Sequence, residues 1–294
     1  LTTARVNDDG RGSGGAVPSE SKSSQLERME LELLFEAVYR QYGYDFRSYA
    51  VSSLRRRVRK RMEAEHIATI SGLQEKVLHD PPVMERLLRD LSINVTSMFR
   101  DPSFFLAFRE KVVPLLRTYP FIRVWHAGCS TGEEVYSMAI LLREEGLLDR
   151  SRIYATDINE DVLQQAKSGI FPLTGMQAYT ANYLRAGGKR SFSEYYTAKY
   201  DAALFDGTLT QNILFAQHDL ATDRSFAEFN VIICRNVLIY FDRKLKDRVL
   251  GLFSDSLANF GVLALGKKES LKFTAAESRY EEIDTREKLY RKVL

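Results

Sequence analysis

From Val124 the chain reads Val-Trp-His-Ala-Gly-Cys-Ser-Thr-Gly-Glu-Glu, an apolar strand that passes through a loop of small residues into the acidic first turn of a helix. Strand, glycine loop and helix in that order place unpaired backbone N–H groups where a nucleotide-like ligand can approach the main chain closely. Glu133 and Glu134 then constrain the ligand's charge. Carboxylates beside a pyrophosphate repel it, whereas a cationic or hydroxyl-rich ligand suits them. S-Adenosylmethionine, with its sulfonium and ammonium, meets these demands best. A nicotinamide dinucleotide fits less well, because the loop is Gly-x-x-x-Gly rather than Gly-x-Gly-x-x-Gly.

The texture around this unit predicts an open, largely parallel α/β sheet after Pro120. Strands are expected at Ile122–Ala127, Arg152–Asp157, Val231–Cys234 and Val262–Gly266, with helices near Glu133–Glu145, Asn159–Lys167 and Arg243–Leu257. Asp206-Gly207 reads as a hairpin turn, so an antiparallel insert is expected at about 190–217. Tyr280–Leu294 reads as a last pair of strands. Upstream the pattern is helical: Leu31, Leu34, Phe35 and Val38 recur at helical spacing, as do Leu54, Val58 and Met62, and Val83, Leu87 and Leu88. The expected organisation is a flexible tail at 1–24, a helical domain at 25–90, a linker and helix at 91–120, and the α/β domain at 121–294.

With 294 residues, 45% of them hydrophobic, the chain can bury this much core without staples. Its two cysteines, Cys129 and Cys234, lack metal spacing and suit a reducing, cytoplasmic setting. No apolar run approaches the ~20 residues of a membrane helix, so no membrane insertion is expected. The four histidines are too scattered for a ligand set, and no metal is expected. Charge is uneven: residues 40–62 hold eight Arg and Lys against Asp45 alone. Leu54, Val58 and Met62 form one helical stripe there, leaving the bases on the other sides. That helix is a solvated face, a dock for an acidic protein surface, or a nucleic-acid contact; no aromatics interleave with it as in a base-stacking platform.

Several segments carry candidate chemistry. Asp157 ends the second strand, where a carboxylate accepts bonds from both ribose hydroxyls of an adenosine or, alternatively, caps the following helix. Asn94, Thr96 and Arg100 offer an amide, a hydroxyl and a fork of donors, suited to a ligand carboxylate if this stretch is more than a linker with a capping Thr. Cys234-Arg235-Asn236-Val237-Leu238-Ile239-Tyr240-Phe241 leaves the expected strand Val231–Cys234 at the cleft end of the sheet. It lacks the Asn/Asp-Pro-Pro-aromatic element of enzymes that methylate bases on amino groups, and Cys234 follows Ile233 rather than Pro, which reads as packing. General-base machinery is absent. A carboxylate acceptor, with a pKa near 4.3, is ionised at neutral pH and needs alignment more than deprotonation.

Taken together, these segments resemble the chemoreceptor glutamate O-methyltransferases of bacterial chemotaxis, the CheR type, over about Leu26 to Leu294. The family's Asn-x-Thr-x-Phe-Phe-Arg element is similar to Asn94–Arg100, with Met98 departing. Its Ser-Thr-Gly-Glu-Glu motif is Ser130 to Glu134, its acid after the second strand is Asp157, and its Cys-Arg-Asn-Val-x-Ile-Tyr-Phe motif is Cys234 to Phe241. The resemblance implies a Rossmann-like S-adenosylmethionine-dependent methyltransferase sheet with a small all-helical N-terminal domain and an inserted antiparallel β-subdomain. It implies that Asn94, Thr96, Arg100, Ala127, Gly128, Glu133, Asp157, Asp219, Leu220, Arg235 and Asn236 surround the cofactor, with Glu133 facing its ammonium. Arg100 and Tyr240 would lie nearest the transferred methyl, the product being S-adenosylhomocysteine. Arg55, Arg56, Arg59 and Lys60 would meet the acidic cytoplasmic helical bundle of a receptor, whose glutamates become methyl esters. Asp219-Leu220 stands where the family often has Asn-Leu, and Gly266-Lys267-Lys268-Glu269 where it has Gly-His-Ser-Glu. The short insert implies independence from a receptor's C-terminal peptide tether. The alternatives are an RNA methyltransferase and a non-catalytic cofactor-binding sensor or scaffold.

Overall fold

The computed structural model describes residues 22–92 and 96–293. Of the expected tail, residues 1–21 lie outside the described residues, and Lys22 to Ser24 already belong to the first helix. Four helices come first: α1 (Lys22–Tyr42), α2 (Val51–Ala64), α3 (Ile70–His79) and α4 (Pro81–Leu91). Their apolar stripes share one buried cluster, in which Leu34 and Val38 of α1 join Val58 of α2, Leu73 and Val77 of α3, and Leu87 of α4. Thr69 starts α3 by accepting the Gly72 N–H at 3.0 Å. Pro81 and Pro82 open α4, where a missing N–H is harmless.

After Asp101 the chain forms α5 (Pro102–Ala107), a wide π turn over Phe108–Val112 and α6 (Val113–Leu116). The remaining helices are α7 (Glu133–Glu144), α8 (Glu160–Ser168), α9 (Met176–Arg185), α10 (Gly207–Thr210) and α11 (Arg243–Ser256). The strands are β1 (Ile122–Ala127), β2 (Ser151–Asp157), β3 (Ile170–Pro172), β4 (Tyr196–Lys199), β5 (Ala202–Phe205), β6 (Ile213–Gln217), β7 (Phe229–Cys234), β8 (Leu257–Leu265), β9 (Tyr280–Asp284) and β10 (Leu289–Lys292). Seven of them form a sheet in the order β6-β2-β1-β7-β8-β10-β9. Pairing is parallel from β6 to β8 and antiparallel through β10 and β9. Winding reverses direction at β1, between β2 and β7, and a crevice opens beyond the carboxyl ends of these strands. The sheet is apolar on both faces, as parallel strands covered by helices require. On one side Trp125 is fully buried among Phe229, Phe253 and His218, its indole N–H donating to Thr156 Oγ1 at 2.9 Å.

The inserted sheet differs from the expected 190–217 hairpin. It is three-stranded, in the order β3-β5-β4, so it begins at Ile170, whereas β6 pairs in parallel with β2 in the main sheet. The hairpin turns at Tyr200-Asp201, with Tyr200 at φ +52°. Asp206-Gly207 is instead a helix start: the Asp206 side chain accepts the Thr208 N–H at 2.9 Å and caps α10. Aspartate before glycine serves a turn and a helix cap equally well, and the packing of Leu209 into the core decides between them.

A buried ionic cluster ties this insert to the main domain. Glu144, at the end of α7, accepts the Tyr195 hydroxyl and the Lys189 N–H, each at 2.9 Å, and also bonds the Tyr183 hydroxyl and the Arg109 guanidinium. Arg109 completes its fork on Glu145 at 2.8 Å and the Ala186 carbonyl at 3.1 Å.

Candidate active site

The crevice beyond β1, β2 and β7 is roofed by the helical domain, which contributes Phe46, Tyr49, Leu91 and Ser92 to its wall. A short stretch of backbone stitches the two parts together. Tyr49 bridges Phe241, Ala50 N–H donates to the Tyr240 carbonyl at 2.8 Å, and Asp242 N–H donates to the Ser48 carbonyl at 2.9 Å. The Tyr49 and Phe241 rings meet edge to face at 4.9 Å.

The loop after β1 forms the floor. Gly128 sits at φ +78°, and a Cβ there would lie 2.6 Å from Val237 Cγ2, so only glycine fits between this loop and the loop after β7. Gly128 and Cys129 both donate their N–H to the Thr156 carbonyl. Asp157 is anchored from two sides, accepting Ser130 N–H at 2.9 Å on one oxygen and Asn159 N–H at 3.1 Å on the other. Burial pushes its pKa up, opposed by these backbone donors. Each oxygen keeps a lone pair for a ligand hydroxyl.

The two glutamates part company. Successive helical residues project about 100° apart, and it is Glu134 that lines the crevice. Glu133 does not: its carboxylate is buried against Thr131, whose hydroxyl it accepts at 2.6 Å, and burial raises its pKa. Ala127, likewise expected at the cofactor, ends β1 inside the core and is not among the wall residues.

Glu134 belongs to a clamp centred on Arg235. The Arg235 guanidinium bonds Glu134 Oε2 and Asp101 Oδ2, each at 2.7 Å, lies 4.1 Å over the Phe104 ring, and reaches the Arg100 carbonyl at 3.4 Å. Burial would raise the Glu134 pKa, but the charge of Arg235 and a hydrogen bond from His126 bring it down to about 2. Phe99, Asp101, Ser130 and Asn236 all hold positive φ, so strained backbone gathers at this crevice. Glu269 pins the loop after β7, accepting the N–H groups of Gly266 at 2.6 Å, Asn236 at 3.0 Å and Ile239 at 3.3 Å. The neighbouring Lys267 turns away to Ser103 and Glu287.

Thr96, Arg100, Asp219, Leu220, Arg235, Asn236 and Tyr240 all line the same crevice with Gly128 and Asp157. Asn94 lies outside the described residues. Ser130 Oγ, His218 Nδ1, Asp219 Oδ2 and Arg235 Nε are buried here without a hydrogen-bond partner among the described residues. Buried polar atoms of this kind call for a ligand that supplies both donors and acceptors. An adenosine joined to an amino acid does so, with the aromatic wall of Phe46, Tyr49 and Phe241 suited to an apolar ring. Both cysteine thiols are buried, which pushes their pKa well above the ordinary range, so neither is a nucleophile at neutral pH.

Two family models match the chain. The description "CheR methyltransferase, SAM binding domain" matches residues 94–288, and "CheR methyltransferase, all-alpha domain" matches residues 29–92. The chain belongs to the CheR methyltransferase family. It is 54% identical over 264 residues to "Putative methyltransferase Cher3" of Pseudomonas putida, covering 90% of this chain and 97% of that protein. It is 29% identical to a "Chemotaxis protein methyltransferase" of Listeria innocua, over 80% of this chain and 87% of the relative. It is 28% identical to "Chemotaxis protein methyltransferase 2" of Pseudomonas aeruginosa, over 83% and 87%. A solved N-methyltransferase, NodS of Bradyrhizobium japonicum bound to S-adenosyl-L-homocysteine, overlaps with a TM-score of 0.33 at 14% identity, covering 57% of this chain and 62% of that one, too slight a likeness to bear on function.

This CheR protein is thus a methyltransferase of the chemotaxis type, and its cofactor is S-adenosylmethionine. No described helix is long and apolar enough to cross a membrane, and no group of metal-ligating side chains occurs among the described residues. The residues to which the sequence assigns no site role of their own are Phe46 and Tyr49 in the wall, Glu269 beneath the loop, and Arg57, buried on α2 beside Tyr240, while Glu134, read there only as half of an acidic pair, is the glutamate that lines the crevice. Two of these carry a local signal: Glu134 belongs to the acidic pair that opens α7, and Arg57 lies three residues after Leu54, on the edge of the helix's apolar stripe.

Asp157→Ala is expected to weaken S-adenosylhomocysteine binding by about 1–3 kcal/mol, through lost ribose bonds and a released Ser130 N–H. Calorimetric titration checks this, and an unchanged affinity would remove Asp157 from the site.

Proposed function

We propose that this CheR protein esterifies glutamate side chains on the cytoplasmic helical bundle of a chemoreceptor. One observation carries the reading: the crevice adjoins the groove on the basic face of α2. Ser92 lines both the crevice and a neighbouring groove walled by Arg55, Arg56, Arg59, Lys60 and Arg89. Part of that charge is offset within the chain, since Arg55 and Arg59 share Glu27 and Lys60 pairs with Asp90 at 2.9 Å, while Arg56 is exposed and has no ion-pair partner among the described residues. A net basic face remains beside the reaction centre, complementary to an acidic bundle.

S-Adenosylmethionine, when bound, supplies an electrophilic methyl whose old bonding pair stays on sulfur, while a lone pair of the acceptor oxygen forms the new bond. Asp157 holds the ribose, and Asp219 Oδ2, which burial leaves unpaired, faces the nucleoside. Glu134, rather than Glu133, takes the ammonium, and Thr96, Arg100 and Asn236 hold the amino-acid end from the other side. Arg100 and Tyr240 align the acceptor. No base is required, because a glutamate carboxylate is already ionised at neutral pH. Activity then rests on alignment and charge placement in a crevice shielded from water.

The insert supports independence from a peptide tether: β4 and β5 are joined by only Tyr200 and Asp201. With labelled cofactor and a receptor cytoplasmic fragment, label is expected on glutamate-bearing peptides, at a rate unchanged within about twofold when the receptor's C-terminal peptide is removed. Transfer to RNA instead of the receptor would overturn the proposal, and a steep loss of rate without the peptide would overturn the tether reading alone.

A further inference from the structure

Arg57 stands apart from the rest of its basic helix. It is only 6% exposed, and its Nη1 donates to the Leu91 carbonyl at 2.6 Å. Its Nη2 is buried without a hydrogen-bond partner, and no carboxylate pairs with the guanidinium, among the described residues. The guanidinium carbon lies 5.1 Å from the centre of the Tyr240 ring, and the side chain lines the α2 groove together with Ser92, the residue shared with the cofactor crevice. A buried, unpaired cation is costly unless an anion joins it. Burial indeed holds its pKa below the ordinary arginine value. Its neighbours differ, because Arg55, Arg59, Lys60 and Arg61 all have acidic partners on the surface or close to it.

We infer that Arg57 is the residue that receives the acceptor carboxylate, at the junction between the basic groove and the methyl-transfer site. The inference rests on the glutamate-esterification reading. One carboxylate oxygen takes the unpaired N–H of Arg57, leaving the other to face the transferred methyl between Arg100 and Tyr240. The Tyr240 ring beneath the guanidinium fixes its orientation. Esterification removes the acceptor's charge without moving a proton, so the product loses its ion pair with Arg57 and is released, while an unmodified glutamate is drawn in. Exposed bases of α2 recognise the bundle as a whole; Arg57 selects the reacting side chain.

The test uses the full chain, S-adenosylmethionine and a receptor cytoplasmic fragment. Arg57→Gln is expected to raise the KM for the fragment roughly ten- to hundredfold while the Kd for S-adenosylhomocysteine stays within about twofold. Arg57→Lys keeps the charge but loses the planar fork, and a rise in KM of about three- to tenfold is expected with kcat little changed. An unchanged KM in Arg57→Gln would overturn the inference, as would a Kd for S-adenosylhomocysteine that rises in step with KM, which would assign Arg57 to the cofactor's own carboxylate. If Arg57→Gln does not fold, Arg57→Lys decides, and an unchanged KM there overturns it. Absence of transfer by the unaltered enzyme is a separate outcome, since it contradicts glutamate esterification itself.

Discussion

Arg235→Ala is expected to destabilise the protein by about 3–5 kcal/mol and to lower turnover by at least about a hundredfold. The side chain is 1% exposed and sits between two carboxylates, Glu134 and Asp101, each 2.7 Å from a guanidinium nitrogen. Removing it leaves both acids without their countercharge. Glu134 then loses the main influence that lowers its pKa to about 2, and burial, already the largest effect on it, acts to raise the value. In the unaltered protein the depressed pKa contributes stability that is present above the unfolded value of 4.5 and is lost as pH falls towards 2. The variant should lack that acid-dependent component. The catalytic loss has a geometric origin: the clamp holds Asp101, at φ +55°, and the carbonyl of Arg100, so the Arg100 side chain loses its fixed position. Urea unfolding at pH 7 and pH 4, with single-turnover rates at saturating cofactor, checks both parts. A variant with native stability and native turnover would show that the clamp is incidental.

Glu144→Ala is expected to cost about 3–5 kcal/mol, with an effect on stability larger than on the chemical step. Its fully buried carboxylate gathers four donors from two parts of the chain: Arg109 before the sheet, and Tyr183, Lys189 and Tyr195 of the insert. Truncation removes the shared acceptor of two tyrosine hydroxyls at once, although Tyr183 keeps the Arg190 N–H at 2.9 Å. Arg109 keeps Glu145 and the Ala186 carbonyl, which limits the loss. Glu144→Gln, which keeps an acceptor but not the charge, should fall between the two. A fall in the urea midpoint with an unchanged slope is the expected signature. A midpoint unchanged in both variants would show that the aromatic packing of Tyr183, Phe192 and Tyr195 holds the insert without the carboxylate.

Much of this architecture was legible in the sequence because burial leaves a strong imprint on composition. The run Ile122–Ala127 is a strand buried on most of its length, and its apolar residues end where the glycine loop begins. The order of that loop, Asp157 and the segment after Cys234 places three strand ends at one crevice, as sheet topology requires. Residues whose role depends on rotation about a helix were harder to read. Glu133 and Glu134 are neighbours in sequence, and only the phase of α7 turns the second towards the crevice. Arg57 is hidden in a basic run for the same reason. Phe46 and Tyr49 were invisible because a contact between domains, not local pattern, brings them to the wall. The insert was misplaced because Asp206-Gly207 has the chemistry of both a turn and a cap, and the partner of β6 lies some sixty residues upstream in β2.

The central claim is the chemical identity of the acceptor, and the stability of the product bond tests it most directly. Receptor fragment labelled from methyl-labelled S-adenosylmethionine by this enzyme should be exposed to mild alkali and the volatile fraction collected. A glutamate methyl ester releases its label as methanol, so nearly complete transfer of label to the volatile fraction is the expected result. Label that stays on the protein after that treatment would place the methyl on nitrogen, sulfur or carbon, and would contradict glutamate esterification.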